Sequence, residues 1–307
     1  MSSFTPDDVP DLTGKVALVT GGNRSIGLES VYLLLRKNCT VYISGRSESG
    51  FEEAKKTLTG RGDISEEAIA RLHFHKLDLA EMKHAEASGH DFVKSHPERL
   101  DILIANAGVS MQTPDKLSPD GYELTFQTNQ LGHFAFIGPL LPLIEKTAKE
   151  HGDARVVITC SDAHAFAKDG IDFESLSQTQ PHIGIRGMGD AMRRYGVTKL
   201  ALMLYTRRLD KEWAAPLRDK GTMAPFSTRL LEDQEHTMTQ VYVATSPQIK
   251  EKKEHGLYYV PRKNWRGRYT HSSDQAPDTK WGTDDELADK LWEFCEQALN
   301  KSRTSSQ

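Results

Sequence analysis

Short apolar, strand-like runs alternate along the chain with longer amphipathic segments. The short runs are KVALV (Lys15 to Val19), TVYISGR, LHFHKLDL, LDILIANAG and RVVITCS. Between them lie LESVYLLLRK (Leu28 to Lys37), a charged segment around Phe51–Leu58, a polar one near Ala80–Lys94, and a long one from about Tyr122. An unbroken β-branched run suits a strand buried on both faces, and an amphipathic segment suits a helix with one apolar face. Their alternation predicts βαβ units: an α/β fold with a doubly wound parallel sheet and helices on both faces. Crossovers between its strands should be right-handed. The ligand crevice is then expected where the first strand ends, at TGGNRSIG (Thr20 to Gly27).

With 307 residues the chain is long enough for one large domain with a substantial core. A formal charge of −4 leaves no basic excess for nucleic acid. The basic run RKNWRGR (Arg262 to Arg268) reads as a solvated loop. Cys39, Cys160 and Cys295 are far apart without metal-ligand spacing, which suits buried thiols in a reducing compartment. MSSFTPDDVPDL is neither a signal nor a transit peptide. The most apolar run, Phe134 to Ile144, is too short to span a bilayer and contains two prolines. A soluble, cytoplasmic protein is expected. The first ten residues or so and residues 302–307 are expected to be loose ends.

In the glycine loop, Gly21 permits a tight turn and Gly27 permits close packing of helix on sheet. Asn23, Arg24, Ser25 and Ile26 line the same turn, and Ser25 stands where a strict dinucleotide loop has glycine. Its side chain intrudes by one hydroxymethyl group, yet its hydroxyl can donate to a phosphate or cap the helix. The second strand ends VYISGRS, with Arg46 in place of the carboxylate that an NAD site uses on the ribose. A guanidinium matches a ribose 2′-phosphate by charge-assisted, bidentate bonds. Arg24 and Arg46, both at loop positions facing one crevice, therefore favour NADP(H) over NAD(H).

Tyr195 and Lys199 are four residues apart in RRYGVTKLALMLYTRRL, so in a helix they share a face. An ammonium beside a phenol favours the phenolate, the tuning that a general acid for carbonyl reduction needs. Tyr259 and Lys263 repeat the spacing, but Pro261 breaks a helix there. Ser161 closes the run RVVITCS and Asn129 lies in LTFQTNQLGHF. Taken singly, Ser161 suits a strand-terminal turn and Asn129 a solvent-facing helix residue. His164 and His182 read as exposed loop residues, although either could line a substrate mouth.

TGGNRSIG, LDL with Asp78, ANAG (Ala105 to Gly108), Asn129, Ser161 and YGVTK occur in the order used by the short-chain dehydrogenase/reductase family, which the chain resembles over nearly its whole length. TNQLGHF, SDAH, YGVTKLA, GIDFESL, VYVATSP and GLYYVP look most like its retinol-dehydrogenase-like and WW-domain-oxidoreductase-like branch. The resemblance implies a Rossmann-type single domain over residues 12–300, between an N-terminal tail (1–11) and a C-terminal tail (301–307). Residues 162–192 would be a substrate-side insertion.

The resemblance also assigns roles. Tyr195 exchanges a proton with the substrate oxygen, and Lys199 tunes that tyrosine and binds the nicotinamide ribose. Ser161 hydrogen-bonds the substrate oxygen, and Asn129 holds a water connecting Lys199 to solvent. Asp78 and the turn Asn106, Ala107, Gly108 embrace the adenine side of NADP(H). Hydride passes directly from the nicotinamide, so no metal is needed. The branch implies a bulky apolar carbonyl or alcohol: a retinoid, a steroid-like compound or a specialised metabolite. A homodimer through the helices beginning near Tyr122 and Arg193 is expected by analogy.

One segment departs from the family. Between Trp213 and Gln240 no good strand is evident, and Phe226 follows Pro225 where glycine is usual. A shortened segment (213–240) with a missing late strand is therefore expected. Two other readings stay open: a non-catalytic NADP(H)-binding sensor or scaffold, and a fold redirected to non-redox cyclisation or isomerisation.

Overall fold

The computed structural model describes residues 4–95, 98–110, 117–178, 187–214, 222–228, 233–252, 258–263, 269–274 and 280–304. Eight strands form one sheet in the order β3-β2-β1-β4-β5-β6-β7-β8. They are β1 (Val16–Thr20), β2 (Thr40–Gly45), β3 (Leu72–Lys76), β4 (Ile102–Ala105), β5 (Arg155–Ser161), β6 (Thr222–Thr228), β7 (Tyr258–Lys263) and β8 (Tyr269–Asp274). All pairings are parallel except β7 with β8. From β1 the chain winds outward to β2 and β3, then returns to place β4 on the other side. That reversal opens a crevice at the carboxyl ends of β1 and β4. Every residue of β1, β4 and β5 is buried, as expected of central strands covered on both faces.

The helices are α1 (Ser25–Arg36), α2 (Glu48–Thr59), α3 (Glu66–Ala70), α4 (Met82–Ser95), α5 (Leu124–Phe126), α6 (Gly132–His151), α7 (Gly187–Leu209), α8 (Asp233–Thr245), α9 (Pro247–Glu251) and α10 (Asp285–Thr304). A π-helical stretch, Gln127–Leu131, joins α5 to α6. One sheet face packs α4, α6, α7 and α10 around Phe126, Phe136, Leu140, Leu204 and Leu291. The other packs α1, α2 and α8 around Val31, Leu34, Leu58 and Val243. Helix α6 runs through Pro139 and Pro142, each of which costs about 3 kcal/mol inside a helix. Burial of Phe134, Phe136, Ile137, Leu140 and Ile144 on the same helix offsets that cost.

Several expectations need correction. The late strand expected to be missing is present: β6 pairs with β5 over seven residues, Thr222 to Thr228, and with β7 at Phe226–Tyr259. Its proline and small polar residues give a weak local signal, but neighbours on both sides supply the ladder that stabilises it. The described part of the expected tail (1–11), residues 4–11, is anchored, with Val9 buried and Phe4 edge-on to Tyr242 at 5.1 Å. At the other end α10 continues to Thr304, and Ser302 is buried. Helix α10 lies across α7 and α4 through Ala288, Leu291, Cys295 and Ala298. Part of the surface of α7 is therefore covered by the chain itself. His164 is buried, not an exposed loop residue. His182 lies outside the described residues, as do residues 264–268 of the basic run.

Tyr259 and Lys263 fall on β7, so this pair does not share a helical face. The three cysteines are buried and outside any disulfide, and burial pushes the Cys295 thiol up to about 12. No helix among the described residues is long and apolar enough to cross a membrane. A groove of about 530 Å³ lies among α4, α6, α7 and α10, lined by Phe134, Tyr205, Trp213 and Trp292. None of the expected site residues lines it.

Candidate active site

The glycine loop leaves β1 at Thr20 and turns at Gly21, whose φ of +64° is costly for any residue with a side chain. The Gly21 amide donates to the Ser44 carbonyl of β2 at 2.8 Å. A methyl group at Gly27 would lie 2.3 Å from the Gly21 carbonyl oxygen, so only glycine lets α1 begin this close to the turn. Ser25, the first residue of α1, has φ of +45°, a conformation L-residues other than Asn and Asp rarely adopt. The glycine expected at this position is thus absent while its backbone conformation is retained. Arg24 precedes α1 in extended conformation and makes no side-chain cap.

Arg24 lies beside the crevice at the end of β1, and Arg46 just past the end of β2. Both are exposed, and neither has an acidic partner among the described residues. Asn23 approaches the start of α2, with its amide 3.2 Å from where a Gly50 side chain would begin. Ile26 is half-buried, and its carbonyl accepts from the Ser30 hydroxyl at 2.9 Å. Asp78, just beyond β3, accepts from the Ala80 amide at 3.0 Å. Asn106 ties the turn after β4 back to the loop: its side-chain amide donates to the carbonyls of Thr20 (3.1 Å) and Gly21 (3.4 Å). Its backbone N–H and that of Ala107 both donate to Thr20 Oγ1 at 2.9 Å. Gly108 follows against Asn129, whose Oδ1 lies 3.3 Å from where a side chain would start.

The second half of the site is built on β5 and α7. Lys199 is 3 % exposed, and its Nζ donates to the Thr159 carbonyl at 2.8 Å, two residues before Ser161. That ammonium stands 5.4 Å from the centre of the Tyr195 ring, so the pair shares one face of α7. Tyr195 is half-buried. Ser161 ends β5 and opens the 3₁₀ turn Asp162–Phe166, with its hydroxyl accepting from the Ala163 amide at 3.1 Å. This turn packs against α7 beside Tyr195: a methyl at Gly196 would meet the Ala163 carbonyl at 2.5 Å. His164 Nδ1 is 2.7 Å from the Ser161 carbonyl and steadies the same turn.

Asn129 is fully buried in the π-helical stretch, not solvent-facing. Its Oδ1 accepts from the Val109 amide (2.8 Å), and its Nδ2 donates to the Val109 carbonyl (2.9 Å) and to Thr198 Oγ1 (3.1 Å). Thr198 in turn donates to the Tyr195 carbonyl at 2.8 Å. One amide therefore joins the turn after β4 to the residue between Tyr195 and Lys199.

Sequence reasoning missed Thr20, His133, Thr198 and Arg194. Thr20 and His133 stand inside TGG and TNQLGHF, where their burial was the missing information. Arg194, next to Tyr195, is buried 3.8 Å from the Glu123 carboxylate, which also caps the start of α5 by accepting from the Phe126 amide. The insertion after Ser161 packs inward at Leu176, whose carbonyl accepts from the Glu123 amide.

The model of the short chain dehydrogenase family matches residues 15–170. An uncharacterized oxidoreductase of Schizosaccharomyces pombe is 34 % identical over 84 % of this chain and 80 % of its own. A short-chain dehydrogenase/reductase of Aspergillus calidoustus, drtF, is 30 % identical over 98 % of both chains. Among solved structures, an uncharacterized protein from Mycobacterium paratuberculosis superposes with a TM-score of 0.71 at 23 % identity, covering 97 % of this chain and 98 % of that one. The RhlG/NADP active-site complex of Pseudomonas aeruginosa superposes with a TM-score of 0.59 at 22 % identity, over 83 % and 96 %.

Proposed function

The chain belongs to the short-chain dehydrogenase/reductase family of oxidoreductases, and on that premise we propose that it uses NADP(H) to interconvert a carbonyl and an alcohol on a bulky apolar molecule. The observation that carries this reading is the Lys199 ammonium buried beside the Tyr195 ring and held on the strand that ends in Ser161. Tyr195 Oη gives a proton to the substrate oxygen in reduction and takes it back in oxidation. The Ser161 hydroxyl holds that oxygen, and Lys199 keeps two of its three donors for the tyrosine and the cofactor ribose. Asn129 fixes the backbone of α7 through Thr198, a role added to the water-holding one that the family implies.

The crevice suits the cofactor. Backbone amides at the start of α1 face it, which favours a pyrophosphate. Arg24 and Arg46, exposed and without acidic partners among the described residues, match a 2′-phosphate where an NAD site would present a carboxylate. Asp78 and the turn Asn106–Gly108 would flank the adenine side. Bound NADP(H) would supply or accept the hydride. The relatives' names include oxidoreductases and short-chain dehydrogenase/reductases, and the structural neighbours include complexes with NADP, with NADH and with NAD. A specialised metabolite as substrate, and a cytoplasmic place of action, belong to the same reading.

The test is a fluorescence titration with NADPH and, separately, NADH, followed by cofactor oxidation across a panel of apolar ketones and aldehydes. Saturable NADPH binding, weaker NADH binding and turnover lost in Tyr195→Phe are expected. Full turnover in Tyr195→Phe would overturn the mechanism. Saturable binding without turnover of any carbonyl would favour a sensor, and product formed without net cofactor consumption would favour cyclisation or isomerisation.

A further inference from the structure

His133 lies on α6 one turn beyond Asn129 and is 1 % exposed. Its Nδ1 is 2.8 Å from the Asn129 carbonyl oxygen, and its Nε2 is 3.0 Å from Thr20 Oγ1. A carbonyl oxygen only accepts, so Nδ1 carries the proton and Nε2 offers a lone pair. Thr20 then donates its hydroxyl proton to Nε2. Its two oxygen lone pairs are taken by the N–H groups of Asn106 and Ala107, both at 2.9 Å. The Asn106 N–H is shared with the Ile104 carbonyl at 3.0 Å, and with the imidazole neutral each donor and acceptor in this cluster is matched. A second ring proton would point at an oxygen that already holds two donors.

The ends of this bridge belong to different halves of the site. Thr20 anchors the turn Asn106–Ala107 against the glycine loop, on the cofactor side. Asn129 holds Val109 and, through Thr198, the stretch of α7 between Tyr195 and Lys199. The Asn129 carbonyl lies in π-helical backbone, where the Gly132 amide bonds to Gln127 and the ordinary helical register is interrupted. His133 supplies that carbonyl with a side-chain donor. We propose that His133, as the neutral Nδ1–H tautomer, is a positioning residue that sets the cofactor turn relative to the catalytic helix by joining Thr20 to the Asn129 carbonyl. Burial pushes this imidazole down to about 4, and the charge of Lys199 adds to that effect. The imidazole is therefore neutral at physiological pH. The functional half of the inference rests on the NADP(H)-dependent reading.

Two measurements test it. Long-range ¹H–¹⁵N correlation on ¹⁵N-histidine protein, with the signal assigned by its loss in His133→Asn, should show a neutral Nδ1–H ring at pH 7. An Nε2–H ring or an imidazolium there would overturn the proposal, whether or not any cofactor binds. The second is a cycle of Thr20→Val, His133→Asn and the double variant, read by NADPH fluorescence titration and by urea unfolding. The shorter amide introduced by His133→Asn can still reach the Asn129 carbonyl but not Thr20. Each single variant should weaken NADPH binding about tenfold, the cost of a broken buried hydrogen bond, and the double variant no more than the worse single one. His133→Gln, whose amide oxygen reaches Thr20, should recover most of the affinity lost in His133→Asn, and if the Asn variant fails to fold the loss in Thr20→Val alone decides. Unchanged affinity in a folded single variant, or fully additive losses, would overturn the positioning role. If the wild type binds neither NADPH nor NADH, the NADP(H) reading falls. The unfolding cycle then decides the bridge alone: coupled losses keep it and additive losses remove it.

Discussion

Lys199 Nζ sits 2.8 Å from the Thr159 carbonyl, so the ammonium is held by the strand that carries Ser161 as well as by the helix that carries Tyr195. The two elements are tied through the charge itself. A variant that keeps the length of the side chain but not its charge, Lys199→Met, should fold and lose kcat by a hundredfold or more, roughly the contribution of a positioned general acid. Steady-state rates with any accepted carbonyl, beside circular dichroism of the folded variant, check this.

Ser25 carries a side chain at φ +45°. Ser25→Gly should relieve about 1 kcal/mol of backbone strain, partly offset by the greater freedom of glycine in the unfolded chain. Removing the hydroxymethyl group should also open the amides of α1 to phosphate. The expected result is NADPH affinity raised severalfold with Tm nearly unchanged; a weaker Kd in the glycine variant would show that the serine hydroxyl binds the cofactor.

Arg24 and Arg46 should divide NADPH from NADH. Arg24→Ala with Arg46→Ala is expected to weaken NADPH at least tenfold while leaving NADH within about twofold, since charge-assisted bonds to the extra phosphate are what each removes. Parallel titrations at one fixed ionic strength measure the ratio. Equal losses for both cofactors would place the two guanidinium groups on the shared pyrophosphate instead.

The His133 imidazole, held down to about 4 against a usual 6.5, makes folding depend on pH with a definite sign. The unfolded chain binds a proton that the folded chain refuses between these values. Stability from this group is full above about pH 6.5 and is lost as pH falls toward 4, by about 3 kcal/mol in all. Urea unfolding of the wild type between pH 7 and pH 4 should therefore steepen relative to His133→Asn, in which this contribution is gone. Parallel pH profiles would contradict it.

Helix α10 packs on α7, with Leu291 1 % exposed in the shared core. Leu291→Ala should cost about 2–5 kcal/mol by leaving a cavity between α10 and α7.

Much of this protein was legible in its sequence, for reasons that are local. Val16 to Val19 and Val156 to Ile158 are consecutive apolar residues because central strands have no wet face, so the alternation of strand and helix could be read directly. Gly21 and Gly27 showed the loop because a positive φ and a 2.3 Å approach each exclude a side chain. Tyr195 and Lys199 showed a shared face because their spacing falls in a helical context, which Pro261 denies to Tyr259 and Lys263.

What the sequence did not determine depends on partners distant along the chain. Strand β6 has little strand character of its own and exists because β5 and β7 pair with it. Val9 and Ser302 lie near the two ends of the chain, yet both are buried. His133 is one of twelve histidines, and its bridge joins Thr20 to Asn129 across 113 and 4 positions respectively. Burial of a hydroxyl, an imidazole and a carbonyl at one point is a property of packing, because only removal from water makes each of them require the others.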